Sequence, residues 1–199
     1  MPSKYSREIL LILKDHLQSF PGTDRAVDAL VRQLADADRT DMVTMEYVKT
    51  NFAIIPEIEK AAIEQIARTE EKKLGMQLYF SPAPVMVHAD QLFLQPLLFR
   101  LFSDLLHTAR ENSTVKIHVT GNDGRCIIEC INQGQMILRQ HSEAYFKKYR
   151  ITNVSGAAAT PAEKILPAYQ QLIKDMDGEL LYSFSKEKDN YFRLKLPLG

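Results

Sequence analysis

The chain has 199 residues, 45% of them hydrophobic and 25% charged. These are the proportions of a soluble protein able to bury a substantial core as one domain with an added element or as two small ones. Lys plus Arg and Asp plus Glu each number 25, so net charge points to neither nucleic acid nor an acidic membrane surface as partner. The longest apolar run near the start, Ile9 to Leu13, is far too short to span a bilayer, and no small-residue cleavage site follows it. The expectation is a cytoplasmic protein with no membrane and no nucleic-acid partner. Its two cysteines, Cys126 and Cys130, lie four apart in a β-type run. That spacing puts both on one face of a strand, as buried thiols rather than part of a metal site.

In chain order, Tyr5, Ile9, Ile12, Leu13, Leu17 and Phe20 recur at helical spacing until Pro21-Gly22 breaks the pattern. Thr23 is placed to cap a second helix carrying Val27, Leu30, Val31 and Leu34. Residues 1–41 therefore read as a helical hairpin, whose apolar stripes need a second copy of the chain or the rest of the molecule to cover them.

From Met42 the character changes. VTMEYV (Val43 to Val48) reads as a strand, and Pro56 opens a helix that stops at Gly75 after Lys72-Lys73. MQLYF and VMV are short strands around Ser81-Pro82. A helix from Gln91 to Arg110 is apolar over most of its circumference and should be buried, with Pro96 kinking it or delaying its start. TVKIHVT and RCIIECI, separated by Gly121-Asn122-Asp123-Gly124, make a hairpin. A last helix ends at Asp177-Gly178, and ELLYSFS and YFRLKLPL follow, joined by the polar turn KEKDN. The class is α+β: the hairpin, then an α/β sandwich over residues 42–199 in which helices cover one face of a mixed sheet.

Four strings share an order and spacing with one family. VHAD (Val87 to Asp90), the long helix running without a gap into TVKIHV, GRCIIECINQG, and MDGEL with YFRLKLPL together resemble the ATPase domain of two-component histidine kinases, the GHKL or Bergerat fold. The resemblance covers residues 43 to 199 and implies a nucleotide pocket beside the long helix.

At the pocket positions the match is poor. The asparagine with which those kinases hold Mg-ATP falls on Asp104, and the motif's other asparagine on Arg100. An aspartate can ligate Mg²⁺ through oxygen, so Asp104 alone excludes nothing. The aspartate that accepts the adenine amino group falls on Asn132, the loop's first glycine on Gly134 and its second on Met136. The glycine-rich motif beneath the phosphates falls on Glu163-Lys164-Ile165-Leu166, just after a capping box at Thr160-Pro161-Ala162-Glu163. Helix N-termini bind phosphate through free N–H groups. Here Thr160 occupies one donor, Pro161 lacks one, and a carboxylate faces the anion. Like charges about 4 Å apart repel by about 4 kcal/mol at an effective dielectric near 20. Asp104, Asn132, Gly134 and Glu163 thus read as the remains of a nucleotide site, with no cofactor and no metal expected.

In such kinases a helical hairpin carries the phosphoacceptor histidine and dimerises, and the hairpin here holds His16, with Asp15 before it rather than an acid after it. His88, His107, His118 and His141 show no ligand spacing. The run YFKKYR (Tyr145 to Arg150) reads as a basic-aromatic contact patch or, more commonly for such a run, as a solvated charged helix end. The resemblance implies a homodimeric signalling protein with a degenerate ATPase-fold domain, docking a response-regulator-like partner, with His16 as the phosphoacceptor if phosphotransfer occurs. A divergent kinase that still binds Mg-ATP and a purely structural or regulatory binding module are the alternatives.

Overall fold

The protein is described here by a computed structural model over residues 4–6, 10–11, 14, 17–18, 24–36, 42–44, 46–134, 170–184 and 189–199. In chain order the elements are β1 (Lys4–Ser6), α1 (Asp24–Asp36), β2 (Met42–Thr44), β3 (Thr50–Ala53), α2 (Ile54–Ile63), α3 (Ile66–Glu71), β4 (Gly75–Phe80), β5 (Met86–Ala89) and α4 (Gln91–Thr108). Then come β6 (Thr114–Asn122), β7 (Arg125–Gln133), a helix α5 over residues 170–175, β8 (Glu179–Phe184) and β9 (Asp189–Pro197).

Strict alternation builds the main sheet. Val115, Ile117 and Val119 on β6, Cys126, Ile128 and Cys130 on β7, and Phe192, Leu194 and Leu196 on β9 are all buried, while the residues alternating with them look outward. The five strands lie in the order β4-β6-β7-β9-β8. The β4–β6 pair is parallel and the other three pairs are antiparallel, so the sheet is mixed. β6 and β7 meet in a two-residue turn, Asp123 (φ 49°) and Gly124 (φ 71°), with Asn122 opposite Arg125. Positive φ at both centres is the turn whose twist suits a hairpin, and Asp-Gly is the sequence that tolerates it. β3 and β5 form a small antiparallel sheet, tied to the end of β9 by the Val87–Leu198 bridge.

α4 lies buried against the inner face. Phe93, Leu94, Leu97, Leu98, Leu101, Phe102, Leu105 and Leu106 are at most 2% exposed. Ile54 and Ile58 of α2, Leu172 and Ile173 of α5, and Leu10, Leu17 and Leu30 near the N-terminus join the same core. The expected α+β sandwich, a mixed sheet under helices, is the observed architecture.

Several local expectations need correction. Tyr5 lies in β1, which pairs antiparallel with β2, so no helix starts there. Backbone at 10, 11, 14, 17 and 18 is helical, as is α1. The expected strand at 43–48 is only Met42–Thr44; residues 46–49 are irregular and the next strand is Thr50–Ala53. Val48 is drawn off the strand path because its N–H donates to the Asp90 carboxylate at 2.8 Å. The helix expected from Pro56 to Gly75 starts at Ile54 and is two helices, broken at residues 64–65. Lys73 (φ 53°), not Gly75, takes the left-handed position after it: Leu74 N donates to Thr69 O (2.8 Å) and Lys73 N to Glu70 O (3.1 Å). Asp177 (φ 59°) ends α5 in the same way. Pro96 does not delay α4, which begins at Gln91 behind its cap, Asp90. The segment holding YFKKYR and the expected capping box at Thr160 lie outside the described residues.

Candidate functional site: a cleft beside the long helix

α4 carries two of the positions singled out in the sequence, and β7 ends at the other two. At the start of α4, Asp90 is 3% exposed. Its Oδ1 accepts from Leu92 N (3.0 Å) and its Oδ2 from Val48 N (2.8 Å). Burial raises its pKa above the ordinary carboxylate value, against the lowering effect of these backbone donors. Asp90 thus fixes both the helix start and the segment leading into β3.

One turn before the end of α4, Arg100 and Asp104 form an i,i+4 ion pair, with Nε donating to Oδ2 at 2.9 Å. The two side chains are 28% and 20% exposed. They line a cleft of about 490 Å³ together with Glu71, Lys72, Ser103, Leu106 and His107. The Lys72 ammonium reaches across it to donate to the carbonyls of Leu106 (3.2 Å) and His107 (2.5 Å), where orphan helix carbonyls gather.

Asn132 behaves differently from a ligand-facing loop residue. It is the fourth inward position of β7, after Cys126, Ile128 and Cys130, and is 1% exposed. Its Nδ2 donates to Leu105 O and, at 3.1 Å, to Thr108 Oγ1. Since Leu105 O can only accept, the amide nitrogen must face the helix. The Asn132 oxygen is left toward β9, and there Asn190 Nδ2 donates to it at 2.7 Å. Thr108 Oγ1 in turn donates to Asp104 O at 2.8 Å. A chain of hydrogen bonds therefore joins Asn190, Asn132, Thr108 and the backbone of Asp104.

Gly134 sits just past β7, bridged to Ala109, with Arg110 N donating to Gln133 O at 2.8 Å. A Cβ added at Gly134 would lie 1.9 Å from Thr108 O. The absent side chain admits the end of α4 to the end of β7, a requirement of packing that holds with or without a ligand.

The structure brings Asp104, Asn132 and Gly134 together around the last turn of α4. His16 and Glu163 lie outside the described residues. Sequence reading missed Thr108, Asn190 and Lys72. Asn190 had a legible signal: counting back by twos from Leu196 puts it on the inner face, although it was grouped with the turn KEKDN. Lys72 had none, because its partners are backbone carbonyls 34 and 35 residues away. Among the described residues no group of three or more His, Cys, Asp or Glu is placed to hold a metal ion. No described helix is long and apolar enough to cross a membrane.

No protein-family description and no curated protein matches the sequence. Solved structures do match in fold. The catalytic domain of histidine kinase ThkA, in a nucleotide-free form, aligns with a TM-score of 0.61 at 18% identity, covering 77% of this chain and 96% of that one. A histidine kinase from Burkholderia phymatum STM815 aligns at 0.59 and 13% identity, covering 98% and 96%. Full-length ShkA, solved in complex with AMPPNP, aligns at 0.62 and 16% identity, with 96% of this chain spanning 43% of that protein. The fold of this chain is that of histidine-kinase catalytic (ATPase) domains.

Proposed function

With the histidine-kinase ATPase fold as premise, we propose that this chain is a two-component-type signalling protein whose ATPase-fold domain no longer takes Mg-ATP. It works through its N-terminal segment, residues 1–41, as a dimerising element and through docking of a response-regulator-like protein. The observation that carries the reading is the buried state of Asn132. A residue that received an adenine amino group would need its acceptor oxygen turned to a pocket, whereas this oxygen accepts from Asn190 at 2.7 Å inside the core. The Arg100–Asp104 pair adds to the case, since a cation at Asp104 would have to compete with a guanidinium already 2.9 Å away. Both observations weigh against a nucleotide complex at this pocket.

On this reading His16 is the phosphoacceptor. A phosphoryl group leaves the aspartyl phosphate of the partner as its P–O bond breaks, and a P–N bond forms to the imidazole, which is a competent neutral nucleophile.

Melting temperature followed during titration with ATP and MgCl2 tests the first half. A ligand at a hundred times its Kd adds about 2.7 kcal/mol to stability, so a clear rise would instead make the chain a divergent kinase domain. Transfer from a phosphorylated receiver to the wild type but not to His16→Ala tests the second half. Absence of transfer to either would leave a structural or regulatory binding module.

A further inference from the structure

We propose that the free edge of β4 is a pairing surface for a second copy of this chain, joining two five-stranded sheets through Met76, Leu78 and Phe80. This contact is separate from residues 1–41 and stands whether or not those residues dimerise.

The hydrogen bonds of β4 fix which of its backbone groups face outward. β4 is the last strand on its side of the sheet. It pairs in parallel with β6 without interruption, from Gly75 opposite Thr114 to Phe80 opposite Val119. Gly75 N donates to Ser113 O at 2.9 Å and Ser81 N to Val119 O at 3.0 Å. Backbone groups alternate in direction along a strand, so those of Gly75, Gln77, Tyr79 and Ser81 serve β6. The N–H and C=O groups of Met76, Leu78 and Phe80 therefore point away from the sheet. Among the described residues no strand pairs with that side.

The edge lacks the usual protection against another strand. GMQLYF holds no charged residue, no proline and no bulge. Met76, Leu78 and Phe80 pack against the core but are only partly buried. Tyr79, on the outer face, is 44% exposed. Pro82 closes the edge just beyond Ser81.

A second copy supplies the complement. Reversed about Leu78, the row of partial positive and negative charges meets its own opposite. Leu78 then exchanges both backbone bonds with Leu78 of the second copy, and Met76 does so with Phe80. Gln77 faces Tyr79 as the closer, non-hydrogen-bonded pair. No formal charges are brought together, and the half-buried apolar side chains gain cover. The same patch is used by both copies, so the contact closes as a twofold dimer. Its small area makes it weak and concentration-dependent.

The test uses the full chain, with molar mass followed by light scattering over a concentration series. Gln77→Lys with Tyr79→Lys sets lysine against lysine twice across the twofold and is expected to weaken association about tenfold. Gln77→Lys with Tyr79→Glu sets lysine against glutamate and is expected to restore it to the wild-type level or above. Both double variants lose the stacking of Tyr79 on His118, so that loss cancels between them. A second measurement stands if the lysine pair compromises folding. Under mild oxidation, a mixture of Gln77→Cys and Tyr79→Cys proteins is expected to give a disulfide-linked dimer faster than either protein alone; the native thiols are buried.

A mass curve shared by the wild type and both double variants overturns the proposal, as does a cysteine mixture that links no faster than its components. A mass step common to every variant reports dimerisation through residues 1–41, and the β4 contact is read from the differences among them.

Discussion

Asn190 donates its side-chain amide to the Asn132 oxygen at 2.7 Å, from one inner strand of the sheet to the next. Both residues are at most 1% exposed, and the Asn132 nitrogen continues the link to Leu105 O at the end of α4. An asparagine can donate and accept at once, and the site uses both abilities.

Asn132→Asp restores the residue that the kinases carry, yet it is expected to destabilise the protein by about 3 kcal/mol at neutral pH, because a buried carboxylate would face the acceptor-only Leu105 carbonyl. Burial raises the folded pKa of such an acid above its unfolded value. The variant therefore stands closest to wild type below the unfolded value of about 4, and that stability is lost as pH rises through the folded pKa. Urea unfolding of both proteins across that range checks the sign. A variant as stable as wild type at pH 7 would contradict the hydrogen-bond assignment.

Gly134→Ala puts a methyl group 1.9 Å from Thr108 O and 3.0 Å from the Ala109 Cα. Both neighbours are backbone and cannot step aside singly. A loss of about 2–3 kcal/mol is expected, accompanied by faster amide exchange at Arg110, whose N–H bonds Gln133 O.

Lys73→Gly should stabilise the protein. Lys73 holds a φ of 53° at the end of α3, a conformation that glycine adopts without the Cβ penalty. A gain of about 0.5–1 kcal/mol is expected, partly offset by the greater freedom of glycine in the unfolded chain. A matched denaturation curve measures it, with Lys72→Gly as the control expected to lose stability.

Glu129 supplies a pH signature on the outer face of the sheet. The Tyr191 hydroxyl donates to its carboxylate and Arg193 pairs with it at 2.8 Å. The Tyr191 hydrogen bond first, then Arg193, hold the Glu129 pKa below its ordinary value against the effect of burial. A depressed folded pKa gives stability that is present above the unfolded value of about 4.3 and lost as pH falls through the folded one. The stability difference between wild type and Glu129→Gln is thus expected to be largest near neutrality and to close below the carboxylate range, as read by melting temperature.

The sheet core and long helix were legible because their signals are local and redundant. Alternation along β6, β7 and β9, an Asp-Gly turn and an apolar helix of 18 residues all agree with one packing. The N-terminal strands were illegible for the opposite reason. Lys4–Ser6 and Met42–Thr44 are three residues each and pair across nearly forty positions, so no periodicity can develop. β3 was hidden because its neighbour Val48 is captured by Asp90, a partner 42 residues away. At the candidate site the sequence located Asp104, Asn132 and Gly134, and the resemblance supplied their reference roles. Alternation from Cys126 already places Asn132 on the inner face; what it could not reveal is what holds it there, a helix carbonyl and Asn190, which no motif includes.

Cys126 and Cys130 are the only cysteines in the chain. Both are buried on the inner face of β7, and burial pushes their thiols up to about 12. Since the thiolate is the reactive species, neither is expected to answer maleimide reagents at neutral pH while the protein stays folded. A Leu181→Cys substitution, at a position 42% exposed on the sheet's outer face, would therefore accept a single fluorophore or spin label without removal of either native thiol. Conversely, labelling of the two native thiols would act as a stopwatch for global opening of the fold.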